Sequence, residues 1–561
     1  MELLRHIFGL DIETPLLFTQ FFFWGFYAAV LLVFTFLHPY RLARNAFLFA
    51  ASIFFYYKTG GFFFVLLLSS TFIDFWAGHL IHRSRKKSAK LSFLVSAITY
   101  NLLVLGYFKY SYFFTESFND LFGTHLQYHN HFSAWMNHLA ERLHIRLGHH
   151  FPIDALIPPV GVSFFTFQTI SYAIDVYRGH VKPVRNILDF GFFVSYFPQL
   201  VAGPIVRAAE FIPQIYQSYH VSRREFGIAV IWVLKGLVKK LVLADFIAVN
   251  FVDRIFDNPE LYTGFENLMV LYGYSIQVYA DFSGYTDIAI GISLLMGFRL
   301  PINFDSPYKA RSVAEFWRRW HISLSTWLRD YLYKPLGGNQ GGTFLTWAFY
   351  FMLPVMALGI FGLGALPYVV FGSLAMLLVF LYLDYKYPDT RLEMATSSNL
   401  LLTMLLGGFW HGASWMFIIW AALNGISLVI YKYWKRISPW EGRKEWYWVA
   451  WTVFLTFSFI SFTRIWFRAP DLETANALIH NIFTNFGFQH IPAVIDNYFR
   501  VFYVMYLGLV VHWMPGWMKD RVYDGFIRLH LAFKAAITVA IVFLVYQAIS
   551  SDLQPFIYFQ F

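Results

Sequence analysis

Two histidines stand in stretches that are otherwise aromatic and apolar. His321 lies in 315-EFWRRWHISLS-325 and His411 in 407-GGFWHGASW-415. An imidazole titrates near neutral pH and can take a proton from a hydroxyl. An ionisable side chain inside an apolar run is costly and marks function by default. The bland alternative for each is a neutral ring hydrogen-bonded to a helix carbonyl. The chain has no cysteine, which excludes disulfides, thiolate metal sites and a cysteine nucleophile. It also has no G-x-S-x-G elbow, no H-E-x-x-H and no paired-carboxylate pattern, so a double-displacement hydrolase and a metalloprotease are both disfavoured. The chemistry left most open is direct transfer: a histidine deprotonates a hydroxyl, and the oxygen attacks an activated acyl group.

Further polar residues interrupt apolar surroundings. In 279-YADFSGYTDIAIG-291, Asp281, Ser283 and Asp287 break an apolar pass, and Asn303, Asp305 and Tyr308 follow. They either line a polar cavity or satisfy one another inside a bundle; Asp281 and Asn303 are the candidates for the first role. Segment 115–155 carries His125, His129, His131, His138, His144, His149 and His150. The i, i+4 spacing of His125 and His129 would suit a metal on a helix, but no carboxylate or cysteine spacing reinforces it. A partner-facing amphipathic loop is the preferred reading, and no metal site is assigned.

The elements that must position these residues follow from periodicity. Ser312 and Glu315 have the form of a capping box, and Pro335, Gly337 and Gly338 form a stop. Between them the pattern predicts one amphipathic helix about 33 Å long, lying at the membrane surface. Val313, Phe316, Trp317, Trp320, Leu324, Trp327, Leu328 and Tyr331 share one face. Glu315, Arg318, Arg319, Ser323, Ser325, Arg329 and Asp330 share the other, with His321 at the seam. An interfacial anchor explains this helix as well as a reaction site does. On the second reading Arg318, Arg319 and Lys334 are candidate contacts for donor phosphates. Ser325 either orients His321 or is a solvated helix residue.

The 561 residues are 58% hydrophobic and 14% charged. Many windows hold about 20 mostly apolar residues, which makes the class an all-α polytopic membrane protein with about 12–14 crossings. The run from Pro15 has no small-residue cleavage site after it and reads as a retained helix. The net charge of +10 sits largely in short loops such as 39-PYRLAR-44, 82-HRSRKKSAK-90 and 177-YRGHVKPVR-185. The positive-inside rule explains it without nucleic acid, and it places the N-terminus and segment 115–155 outside. Segment 187–205, interrupted by Pro198, Gly203 and Pro204, reads as a re-entrant or broken element.

The segments 161-GVSFFTFQTISYAIDVYRG-179, 197-FPQLVAGPIVR-207, 279-YADFSGYTDIAIG-291, 315-EFWRRWHISLSTWLRDYLYKPLGG-338, 406-LGGFWHGASW-415, 466-WFRA-469 and 555-PFIYFQF-561 resemble the membrane-bound O-acyltransferase superfamily, in its bacterial alginate O-acetyltransferase-like branch. The resemblance implies one membrane domain with re-entrant and interfacial helices around a transmembrane tunnel. Residues 1–155 would be N-terminal helices and an extracytoplasmic loop, and 156–342 the first half of the core with His321. Residues 396–561 would complete the core with His411. His411 and His321 match the histidines the branch uses catalytically, and Trp410, Asp281, Asn303 and Ser325 would line the tunnel. One departure stands out: 90 residues separate the two histidines, and segment 343–395 reads as an inserted helical hairpin.

The resemblance further implies O-acetylation of a cell-surface or secreted polysaccharide, alginate being the type case, from the bacterial inner membrane. Acetyl-CoA or a carrier-protein thioester would be the donor substrate, with no bound cofactor. A periplasmic acetyltransferase partner would relay the group. Two alternatives stay open: D-alanyl-type transfer from a carrier thioester, and a proton-coupled transporter or flippase with the histidines as a relay.

Overall fold

The computed structural model describes residues 16–142, 159–387 and 389–548. His144, His149, His150 and the terminal 555–561 segment lie outside the described residues. Every regular element among the described residues is helical. Six helices are long and apolar enough to cross a membrane, or seven if the bent pair Phe488–Asn497 and Phe499–Trp513 counts as one span. The larger number expected from hydropathy includes helices of another kind. Phe21–Leu37 and Leu531–Gln547 are apolar but shorter. Gly264–Leu295 runs for 32 residues with Asp281, Ser283 and Asp287 among its apolar side chains.

That long helix is the axis of the molecule. Thr263 caps it through a complete capping box with Glu266, as an S/T-x-x-E start should. Helix Arg223–Leu237 lies against it with backbones almost touching. A Cβ on Gly236 would meet the Gly284 carbonyl oxygen at 2.5 Å, and one on Gly291 would meet the Ala229 carbonyl at 2.7 Å. Small residues are what permit such approach where no hydrophobic effect drives helices together. Charge pairs then lock the interface. Lys235 and Lys239 reach Asp287 at 3.2 and 2.8 Å, while Lys240 bridges Asp281 at 2.6 Å and Asp245 at 2.7 Å. Of the two readings of Asp281, cavity lining or satisfaction inside the bundle, these contacts favour the second. Its carboxylate neutralises a buried lysine, since unpaired charge at this depth would be costly.

The broken element at 187–205 is present as Ile187–Ser195 and Phe197–Leu200, and it is buried from Asp189 onward. Its exposed-backbone problem is solved locally. The Gln199 amide donates to Phe193 O at 2.9 Å, and Ile205 N donates to Ser323 Oγ at 3.0 Å. Helices Phe344–Phe361 and Leu366–Lys386 form the expected hairpin. Its second arm buries none of its apolar window against the rest of the chain.

Gly284→Val would put two methyl groups where backbone now passes. We expect a loss of about 2–4 kcal/mol, read as a lower thermal midpoint in detergent, whereas Gly25→Val, at a site with nothing within 4 Å, should change little.

Candidate active site

The helix expected over 312–334 is broken where the histidine sits. Helix Val313–Arg319 stops, Trp320 is extended, His321 is left-handed at φ 44° and ψ 54°, and a second helix runs Ile322–Leu328. Ser312 does cap the first helix, accepting from Glu315 N at 3.2 Å, but Glu315 returns its carboxylate to Arg311 N rather than to Ser312. A continuous amphipathic helix would have left His321 at a seam; the break turns it inward, to 1% exposure. His321 is one of two non-glycine residues with positive φ among the described residues. Such backbone costs of order 1 kcal/mol or more and persists only where surroundings over-determine it. Segment 303–305 does this. Asn303 O accepts from Ile322 N at 2.9 Å and Asp305 N donates to Arg319 O at 3.0 Å. Asn303 Oδ1 accepts from both Ser323 N at 3.1 Å and Ser323 Oγ at 2.9 Å. Asn303 thus positions the histidine's backbone, a role that spacing along the sequence does not disclose.

His411 is the last residue of helix Thr390–His411. The chain must turn back at once into helix Trp415–Ile437, and glycines make room. A Cβ on Gly412 would lie 2.0 Å from the Phe417 ring, and one on Gly408 2.3 Å from Ala421 Cβ. Ser414 caps the returning helix at Met416 N. The terminal carbonyls of the first helix are met from the N-terminal third of the chain. Lys109 Nζ donates to Trp410 O at 2.7 Å and His411 O at 2.9 Å, and Tyr110 OH donates to Phe409 O at 3.0 Å.

The two imidazoles, drawn from segments 90 residues apart, face each other with centroids 6.3 Å apart. Around them stand Phe282, Trp410, Trp420 and Phe467, with ring centroids 4.7–5.6 Å from one or the other histidine. Beside His411 is a cavity of about 20 Å³, enough for one water-sized group. Trp317, Trp320, Asn424 and Arg464 contribute its polar edge. Trp317 Nε1 and Asn424 Oδ1 have no hydrogen-bond partner among the described residues. Arg464 is 4% exposed, lies over Trp320 at 4.5 Å and donates to Ser275 O at 3.0 Å. Sequence reasoning missed Arg464, although an arginine inside the apolar run 446–467 was a usable signal. Burial pushes His321 down to about 3, so its ring is neutral at physiological pH.

The remaining candidates divide. Trp410 belongs to the site, stacked on Phe167 at 5.2 Å and 6.1 Å from His321. Ser325 does not orient the imidazole: its hydroxyl donates to Trp320 O at 3.3 Å. Arg319 is committed to Glu315 and Asp305, both at 2.9 Å, and Arg318 is exposed. Lys334 pairs with Asp330 at 2.7 Å on the rim of a surface cavity of about 550 Å³ that also presents Arg178, Arg207 and Arg329. Three hydrogen-bonding cations outweigh burial there and hold Asp330 ionised, well below the usual carboxylate range. An aromatic series links that cavity to the histidines: Tyr331 to Trp327 at 5.2 Å, Trp327 to Phe167 at 3.8 Å, then Trp410. His125 and His129 lie in an irregular stretch, so their helical spacing is not realised, and among the described residues no group of three ligands could hold a metal.

The model of the membrane-bound O-acyltransferase family matches residues 181–379. A protein named as a probable alginate O-acetylase of Azotobacter vinelandii is 34% identical over 439 residues, 77% of this chain and 71% of its own length. The peptidoglycan O-acetyltransferase of Helicobacter pylori is 32% identical over 499 residues, 84% of this chain and 79% of its own. The teichoic acid D-alanyltransferase of Bacillus subtilis is 26% identical over 325 residues, 56% of this chain and 69% of its own.

Two outcomes follow from the geometry. Asn303→Ala removes both bonds to Ser323 and should lower turnover about 10- to 100-fold through misplacement of His321, while Asn303→Asp, which keeps the acceptor, should lose less; initial rates at saturating donor decide. His321 is neutral when folded but has an ordinary pKa near 6.5 when unfolded. Stability is therefore complete above pH 6.5 and falls as pH drops below it, by up to ~1.4 kcal/mol per pH unit. Thermal midpoints between pH 7.5 and 4 should fall less steeply for His321→Gln than for the wild type.

Proposed function

This chain belongs to the membrane-bound O-acyltransferase family, and from that premise we propose that it moves an acetyl group from a cytoplasmic thioester to a hydroxyl on the far side of the membrane, for O-acetylation of a cell-surface or secreted polysaccharide. It is a multi-pass membrane acyltransferase; the donor, the acceptor and the direction are our reading. The observation that carries it is the meeting of His321 and His411 in one enclosed aromatic site.

In this reading the donor, most simply acetyl-CoA, rests its phosphates on Arg178, Arg207, Arg329 and Lys334 in the surface cavity, where these four cations face Asp175, Glu210 and Asp330, and its acyl end reaches the histidines along Tyr331, Trp327 and Trp410. Of the donor contacts expected from the sequence, Lys334 lines this cavity and Arg318 and Arg319 do not. His411, with His321 across the gap, takes the proton of the acceptor hydroxyl. The oxygen attacks the thioester carbonyl carbon, the C–S bond breaks, and the thiolate leaves and is protonated to free thiol. Negative charge on the carbonyl oxygen is met by the fixed guanidinium of Arg464 and the available Trp317 N–H, in a site with little water to reorganise. The thioester supplies the driving force, so no resident cofactor enters the scheme. The enzyme works in the bacterial inner membrane, N-terminus and segment 115–155 outside, and a periplasmic acetyltransferase carries the group to the polymer.

The test is thioester turnover. Purified wild type, His321→Ala and His411→Ala in nanodiscs are given labelled acetyl-CoA or a D-alanyl carrier thioester, with a periplasmic acceptor protein. We expect free thiol and labelled acceptor from acetyl-CoA with the wild type, and a loss of 10²-fold or more in each variant. Turnover that survives both substitutions would remove the histidines from the chemistry. Exclusive use of the carrier thioester would shift the reading to D-alanyl transfer.

A further inference from the structure

Lys109 lies in the helical run Lys87–Phe122, one of the six apolar spans. A lysine within such a span demands an explanation, because the bilayer offers its ammonium no water. It lies at a distortion. Residues Gly106–Tyr110 form a π-turn between Lys87–Leu105 and Ser111–Phe122, and such turns are inserted where a helix must re-aim side chains, frequently at functional sites. The re-aimed residues are Lys109 and Tyr110. Between them they cover three consecutive carbonyls, Phe409, Trp410 and His411, at 2.7–3.0 Å. The Lys109 ammonium also sits 5.9 Å over the Trp410 ring, and the Tyr110 ring stacks on Phe409 at 4.2 Å.

We propose that Lys109 is a positioning residue for the transfer reaction, clamping the C-terminal carbonyls of the helix that ends at His411 and so fixing that imidazole opposite His321. The inference rests on the acyltransferase reading above. The physical argument has two parts. A cation at a helix C-terminus complements the macrodipole and supplies donors that the last carbonyls lack. His411 is the final helical residue, with glycine after it and a reversal of the chain three residues on, so the regular helical register ends at its backbone. The clamp from Lys109 holds that end. A displacement of about 1 Å at a reacting group can cost 10²-fold in rate. Asp74, a buried carboxylate of the N-terminal spans, is used differently: Asn101 donates to it at 2.8 Å.

The experiment compares Lys109→Met, Lys109→Arg and Tyr110→Phe in nanodiscs, each brought to equal folded protein by thermal midpoint and gel filtration. For Lys109→Met we expect kcat to fall about 30-fold or more with donor KM within about twofold, and Lys109→Arg, which keeps charge and donors, to recover most of that loss. Tyr110→Phe should lose about threefold. A Lys109→Met kcat within threefold of wild type, a KM that rises in step with the fall in kcat, or an Arg variant no better than Met would overturn the proposal. If Lys109→Met does not fold, the Arg variant and Tyr110→Phe carry the comparison. A readout independent of turnover is the ¹⁵N spectrum of histidine-labelled protein in bilayers, with the His411 signal assigned by difference from His411→Ala. It should shift in Lys109→Met even if the wild type transfers no acetyl group, in which case the acyltransferase reading fails and the positioning role stands. An unshifted His411 signal overturns the positioning role alone.

Discussion

Helix ends inside a membrane protein must find hydrogen-bond partners without water, and this site is built from two such ends. An α-helix leaves its first amides and last carbonyls without intrahelical partners, and in a bilayer each unmet group costs several kcal/mol. His321 stands at the start of one short helix and His411 at the end of another. At the first, Asn303 accepts from the new amides; at the second, Lys109 and Tyr110 donate to the old carbonyls. The groups that cap the helices are therefore the groups that hold the imidazoles. A histidine in mid-helix would be aimed by its rotamer alone; at an end, the capping contacts fix its backbone as well.

Glycine makes these arrangements possible, since each uses space that any side chain would fill. Gly236 and Gly284 bring the axial helix against its neighbour, so that lysines and aspartates on the two can pair. Gly408 and Gly412 let the chain double back beside His411 and carry Trp420 and Asn424 to the same cavity. The ionic interface and the reaction site are in this sense products of one steric device used in two places.

Much of this could be read from the sequence, and the residues show why. Polytopic helical character, the broken element at 187–205 and the hairpin over 344–386 follow from hydropathy and from prolines and glycines, which act locally. The two histidines were legible because ionisable groups in apolar runs are rare. The break at Trp320 and His321 was not, because it is imposed by Asn303 and Asp305 from outside the segment; periodicity saw an unbroken helix. Two readings of Asp281 stay open in the sequence for a similar reason. Its partner Lys240 sits on a neighbouring helix, and a polar residue on an apolar helix looks the same in sequence whether it faces a cavity or a counter-charge. Lys109 and Arg464 lie where composition alone reads an anonymous span.

The distances along the chain carry a consequence for biogenesis. On the proposed reading the site draws on Lys109, His321, His411 and Arg464, so its parts are spread over 355 residues of sequence. At ribosomal rates of about 5–20 residues per second, roughly 20–70 s separate synthesis of the first from the last. Until His411 is made, the membrane holds His321 without its partner histidine. Assembly of the site therefore waits on the later helices, and a chain cut short before His411 lacks the pair.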